Sequence, residues 1–85
     1  MGTPIKLKNM PPDELNAYTE CEAEVLFNNG DEEMWDDIEY KLNGQVRLKD
    51  YEDNVYETKE QLKAAGIQTV TFYLRADAVR EIHIR

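Results

Sequence analysis

Eighty-five residues with 18 acidic and 10 basic side chains carry a formal net charge of −8, and a chain of that length holds one domain with a single small core. An apolar fraction of 41% without long Pro/Gly/Ser tracts excludes wholesale disorder, and the lone Cys21 excludes an internal disulfide or a cysteine zinc knuckle. No apolar run approaches the roughly 20 residues of a membrane helix, and "MGTPIKLKNMPP" lacks both a secretory core and the Ser/Thr of a myristoylation signal, so a soluble cytoplasmic protein is expected.

In chain order, "PIKLKN" alternates Ile5 and Leu7 with Lys6 and Lys8, which predicts an edge strand or else a loose N-terminal arm over 1–10. Pro11 and Pro12 interrupt it. "PPDELNAY" places Asp13 and Glu14 in a first turn with Leu15 and Tyr18 three apart, which predicts one or two helical turns. "TECEAEVLF" is the clearest strand: Cys21, Ala23, Val25 and Phe27 share one face, and Glu20, Glu22, Glu24 and Leu26 share the other. Asn28 to Gly30 is a turn signal.

Two periods compete in "DEEMWDDIEYKLNG". As a helix, Met34, Trp35, Ile38 and Leu42 form a stripe capped by Asp31. As a strand, Ile38, Tyr40 and Leu42 alternate up to Asn43-Gly44, and Val46 and Leu48 resume the alternation beyond it. The Asn-Gly pair favours a hairpin with strands at 37–42 and 45–50, a two-residue turn flanked by Leu42 and Gln45, and Asp31 to Asp36 left as an acidic loop.

"KDYEDN" reads as a polar turn. "ETKEQLKAAG" reads as a helix, with Thr58 and Gln61 as a capping box, Leu62 and Ala65 joined by Val55 or Thr58 on the apolar side, and Gly66 past its end. "IQTVTFYLR" sets Val70, Phe72 and Leu74 against Thr71, Tyr73 and Arg75 as a strand. "ADA" can turn, and "VREIHIR" makes a final strand with Ile82 and Ile84 inward, a short helix from Asp77 being the alternative. The order is β-(α)-β-β-β-α-β-β. The expected fold is α+β, a mostly antiparallel sheet of about five strands with one main helix on one face.

The charge is not evenly laid out. Residues 11 to 40 hold Asp13, Glu14, Glu20, Glu22, Glu24, Asp31, Glu32, Glu33, Asp36, Asp37 and Glu39 with no Lys or Arg. Such a segment repels phosphates and anionic lipid, so direct nucleic-acid or membrane binding is not expected. One reading is a solvated face that keeps the chain in solution. The sharper reading is a docking surface for a basic partner, made by Glu20, Glu22, Glu24, Asp31, Glu32, Glu33, Asp36, Asp37 and Glu39 around Trp35, with Trp35 and Met34 as an apolar anchor. Trp35 could equally fold inward over the small core.

Catalytic chemistry finds little support. There is no Ser, His83 is the sole histidine, and by alternation Cys21 faces inward while His83 lies opposite Ile82 and Ile84. An EF-hand loop started at Asp31 or Asp50 puts Asp36 or Val55 where glycine belongs. Neither a phosphate-cradling loop nor a dinucleotide fingerprint is present, and no cofactor or metal is expected. In size and charge the chain is similar to the small inhibitors made by phages and mobile elements. That likeness implies a non-enzymatic protein that presents negative charge to a nucleic-acid-binding enzyme, as a nucleic-acid mimic, either as a monomer or as a homodimer. The alternative is an assembly subunit that self-associates through edge strands.

Overall fold

A computed structural model describes residues 2–7, 22–41, 44–75 and 78–84. The helix expected near 12–18, Glu20, Cys21 and the turn at Ala76-Asp77 lie outside them. Two antiparallel sheets share one hydrophobic core.

Strand β1 (Glu22–Phe27) buries Ala23 and Val25 and leaves Glu22 exposed, as its alternation requires. At the following turn the Phe27 N–H donates to the Asp31 carbonyl at 2.8 Å and the Gly30 N–H to the Phe27 carbonyl at 3.0 Å. Asn29 clasps Asp31 from both sides: the Asp31 N–H donates to Asn29 Oδ1 at 2.9 Å, and Asn29 Nδ2 donates to Asp31 Oδ2 at 3.0 Å. The turn is therefore tight enough to carry the chain straight back along β1 as β2 (Glu32–Trp35), with Leu26 opposite Glu32 and Ala23 opposite Trp35. This corrects the acidic loop expected at Asp31 to Asp36. An edge strand with a wet face needs only one apolar anchor, and here that anchor is Trp35.

Asp36 alone separates β2 from β3 (Asp37–Tyr40), and at that point the chain passes from one sheet to the other. β3 pairs with β4 (Val46–Lys49), burying Ile38, Tyr40, Val46 and Leu48. The hairpin register is one residue away from the expected one. Tyr40 lies opposite Val46, the Lys41 N–H donates to the Gln45 carbonyl at 2.9 Å, and the Gly44 N–H donates to the Lys41 carbonyl at 2.9 Å. Lys41 is thus the backbone partner of Gln45, and Gly44 stands in the left-handed region at φ +87°, while Leu42 and Asn43 lie outside the described residues. The hairpin itself is as expected, and only its register is shifted.

β4 pairs with the short β5 (Val55–Tyr56), Leu48 opposite Tyr56. Beyond that pair the two chains part, and residues 2–7 fill the gap. The Val46 N–H donates to the Ile5 carbonyl on one side, and the Ile5 N–H donates to the Glu57 carbonyl on the other. Ile5 and Leu7 are buried while Lys6 is exposed.

Helix α1 (Lys59–Ala64) has the predicted capping box: Gln61 N donates to Thr58 Oγ1 at 3.2 Å, and the Thr58 N–H donates to Gln61 Oε1 at 3.1 Å. Only Leu62 is buried from it, and Ala65 and Val55 are exposed, so the apolar side is narrower than expected. At six residues α1 is too short to roof a sheet. β6 (Ile67–Arg75) and β7 (Ala78–His83) complete a four-stranded sheet in the order β2-β1-β6-β7, beside the three-stranded β3-β4-β5. The mixed, mostly antiparallel fold with one helix is as expected, but among the described residues it has seven strands divided between two sheets, where a single sheet of about five with the helix on one face was expected. The physical cause is the one-residue corner at Asp36, which lets a second sheet cover the core that the helix is too short to cover.

Candidate functional site

A concavity on the acidic side forms where β2 meets the β4–β5 turn. Alternation in β2 points Glu33 and Trp35 toward the second sheet, opposite Val25 and Ala23, and points Glu32 and Met34 away from it. Trp35 is only 2% exposed. Its indole Nε1–H donates to Glu33 Oε1 at 3.0 Å, and its ring stacks on Tyr56 with centroids 5.4 Å apart and planes at 23°.

The turn after β4 is organised by Asp50. Its Oδ1 accepts from the backbone N–H groups of Glu52 and Asn54, each at 2.9 Å, and its Oδ2 accepts from Asn54 Nδ2 at 3.1 Å and from the Tyr56 hydroxyl at 3.0 Å. This Asx-type network holds Asp53 at φ +65°, a conformation Asp tolerates better than most residues. Desolvation raises the Asp50 carboxyl's pKa, but the hydrogen bonds from Asn54, Glu52 and Tyr56 together outweigh it and hold the group below its ordinary range. Tyr51 swings back across the gap, its hydroxyl donating to the Met34 carbonyl.

The result is a cavity of about 440 Å³ lined by Phe27, Glu33, Trp35, Asp50, Tyr51, Glu52, Asn54, Tyr56 and Ala65. Among the described residues three carboxylates line it and no Lys or Arg does. Their field is felt by Tyr56: burial, then the Asp50 hydrogen bond and the charges of Asp50, Glu52 and Glu33, raise its hydroxyl above the usual tyrosine range. Carboxylates at the rim attract an organic cation by charge, and the exposed ring of Tyr51 can add cation–π contact, whereas Trp35 is buried under its stack with Tyr56. Among the described residues no group of three or more His, Cys, Asp or Glu side chains is placed to hold a metal ion.

The expected docking residues are divided by the fold. Glu22, Glu24 and Glu32 share the outer face of the four-stranded sheet, with Glu24 opposite Met34 and Glu32 opposite Leu26. Glu81 joins that face from β7, opposite Thr71, and Met34, Tyr73 and Val79 stand exposed among the acids. Glu33 and Trp35 belong to the cavity, and Trp35 takes the inward of its two expected positions. Asp31 is spent in the Asn29 turn and Asp36 sits at the corner. Asp37 and Glu39 lie on β3 opposite Lys49 and Arg47 and pair with them, Asp37 Oδ2 to Lys49 Nζ at 3.9 Å. These exposed pairs offset the two charges only in part. The second carboxylate row expected beside Glu22 and Glu24 is reduced to Glu32 on that face.

Asp50, Tyr51, Glu52 and Tyr56 are the cavity residues that sequence reasoning did not single out. "KDYEDN" carried only a turn signal, since the cavity depends on a contact between 33–35 and 50–56 that no local period encodes. Among the described residues no helix is long and apolar enough to cross a membrane. A scan against protein-family models, a search of curated proteins and a search of solved structures each found no match to this chain.

Proposed function

We propose that the protein is a non-enzymatic binding module that docks a basic surface of a partner protein, with one Lys or Arg side chain of that surface entering the cavity between β2 and the β4–β5 turn. The single observation that carries this reading is that Glu33, Asp50 and Glu52 line one cavity beside the Trp35–Tyr56 stack, with no Lys or Arg in that lining among the described residues. Asp50 is already saturated by four hydrogen bonds, so Glu33 and Glu52 are the groups that would receive the ligand. Glu22, Glu24 and Glu32 supply long-range attraction, and exposed Met34 supplies apolar contact beside them. A nucleic-acid-handling enzyme, whose phosphate-binding groove is rich in Lys and Arg, is the partner class this favours. The carboxylates are spread over two sheets and a cavity, so the reading is anchored docking of a basic side chain, with duplex mimicry a lesser part of it.

Affinity capture from the native cell tests this reading. Immobilised wild-type protein should retain a basic partner at low salt and release it at moderate salt, and the double variant Glu33→Gln/Glu52→Gln should retain far less. Retention that is equal in the variant and indifferent to salt would refute the reading.

A further inference from the structure

We propose that the free edge of β7 is a second binding site, which takes an extended acidic peptide segment by β-strand addition. This goes beyond the docking of a basic surface and uses the opposite end of the four-stranded sheet.

The β6–β7 ladder fixes which main-chain groups are free. The Ile84 N–H donates to the Gln68 carbonyl at 3.0 Å, and Val70 faces Ile82 and Phe72 faces Arg80 in the same register. In an antiparallel ladder hydrogen-bonded pairs alternate with non-bonded ones, so Ile82 and Arg80 spend their backbone groups on β6. The N–H and C=O groups of Glu81 and His83 therefore point outward, where β7 is the last strand of its sheet. Among the described residues none lies against that edge as a further strand.

A groove of about 370 Å³ runs beside this edge. Arg80, Glu81, Ile82 and His83 form one wall, and Lys6, Leu7 and Lys59 form the other. Leu7 is 4% exposed and Ile82 is half-buried, which gives the groove an apolar floor. Its charge is the reverse of the protein's. Lys6, Lys59 and Arg80 form no ion pair among the described residues, whereas Arg47 and Lys49 are both paired across β3–β4. The Arg80 guanidinium is held along the edge, Nη1 donating to the Val79 carbonyl at 3.1 Å. The one carboxylate in the lining among the described residues, Glu81, lies 2.8 Å from His83 Nε2 and is outnumbered by the three cations.

Free main-chain donors and acceptors, an apolar floor and three unpaired cations together fit an extended strand with acidic side chains. The backbone ladder supplies affinity for any strand, and Lys6, Lys59 and Arg80 select the acidic one. The cations also explain why the edge does not invite basic strands.

Amide hydrogen exchange and chemical-shift titration test this directly. The probe is a terminally blocked peptide alternating glutamate with valine, and the control alternates lysine with valine. The acidic peptide should slow exchange at the Glu81 and His83 amides by about tenfold or more at saturation, leaving Ile82 and Arg80 little changed. The basic peptide should do nothing at the same concentration. Lys59→Glu/Arg80→Glu should abolish the effect, and Lys6→Glu/Lys59→Glu serves if the former does not fold. Glu81→Pro removes an outward N–H without costing a β6–β7 bond and should also weaken binding. Equal protection by both peptides, or unchanged binding in the charge-reversed variants, would overturn the proposal. Protection that rises with protein concentration in the absence of peptide would assign the edge to a second copy and would equally overturn it.

Discussion

The Trp35 ring stacks on Tyr56 at 5.4 Å, and this contact joins β2 of the four-stranded sheet to β5 of the three-stranded one. The same pair walls the acidic cavity, so the core of the fold and the candidate site share two side chains.

Truncating that stack should therefore be felt as lost stability. Trp35→Ala should cost about 3–5 kcal/mol, a large part of what an 85-residue domain has. Trp35→Phe keeps an aromatic ring and gives up the indole N–H bond to Glu33, and should cost clearly less. Urea unfolding followed by far-ultraviolet circular dichroism measures both. A near-neutral Trp35→Ala would place the ring outside the core.

Asp50 gives the stability a definite pH dependence. Its pKa is depressed in the folded protein, so the stabilisation is fully present above the unfolded value of about 3.9 and is lost as pH falls through the lower folded value. Wild-type stability should decline from about pH 5 downward, and Asp50→Asn should show a shallower decline over the same range because it has no proton to take up there. Glu60, whose carboxylate accepts from the Thr3 N–H at 2.5 Å, contributes in the same direction to both proteins and cancels in the comparison. Thermal melts at pH 7, 5, 4 and 3 read the difference, and parallel curves would show that the Asp50 network does not depress its pKa.

Two glycine substitutions separate backbone strain from steric contact. Gly44 and Gly30 both have positive φ, at +87° and +94°. A Cβ on Gly44 would lie 2.7 Å from the Leu7 carbonyl oxygen, and one on Gly30 would meet nothing within 4 Å. Gly30→Ala should cost about 1 kcal/mol from the left-handed backbone alone. Gly44→Ala should cost about 1–3 kcal/mol more, because the N-terminal arm whose Leu7 N–H donates to the Gly44 carbonyl must move. Equal costs in denaturant titrations would mean that the arm does not press on the turn.

Much of the strand pattern was legible because period-two burial is local: Ala23 and Val25, Ile38 and Tyr40, Val46 and Leu48, and Val70 and Phe72 all fall where alternation puts them. The cap at Thr58 and Gln61 was legible for the same reason. Three things were not. Asp31 to Asp36 looked like a loop because an edge strand with exposed Glu32, Glu33 and Met34 has the composition of one, and the pairing that makes it a strand lies in β1. The hairpin register was not fixed by the Asn-Gly signal, since a glycine with positive φ at position 44 is compatible with more than one turn length. The cavity was invisible for a third reason: Glu33 and Glu52 meet only after two sheets have packed.

The claim that this cavity receives a cationic side chain has a direct optical test, since Trp35 is the only tryptophan and forms part of its wall. Titration with a terminally blocked tetra-arginine peptide at low salt should change Trp35 emission saturably. Glu33→Gln/Glu52→Gln should weaken that binding by about tenfold, the scale of 1.4 kcal/mol, whereas Glu22→Gln/Glu32→Gln, which removes the same charge from the outer face, should weaken it far less. Equal weakening by the two double variants, or an emission unmoved by the peptide, would contradict the assignment of the cavity as the anchor site.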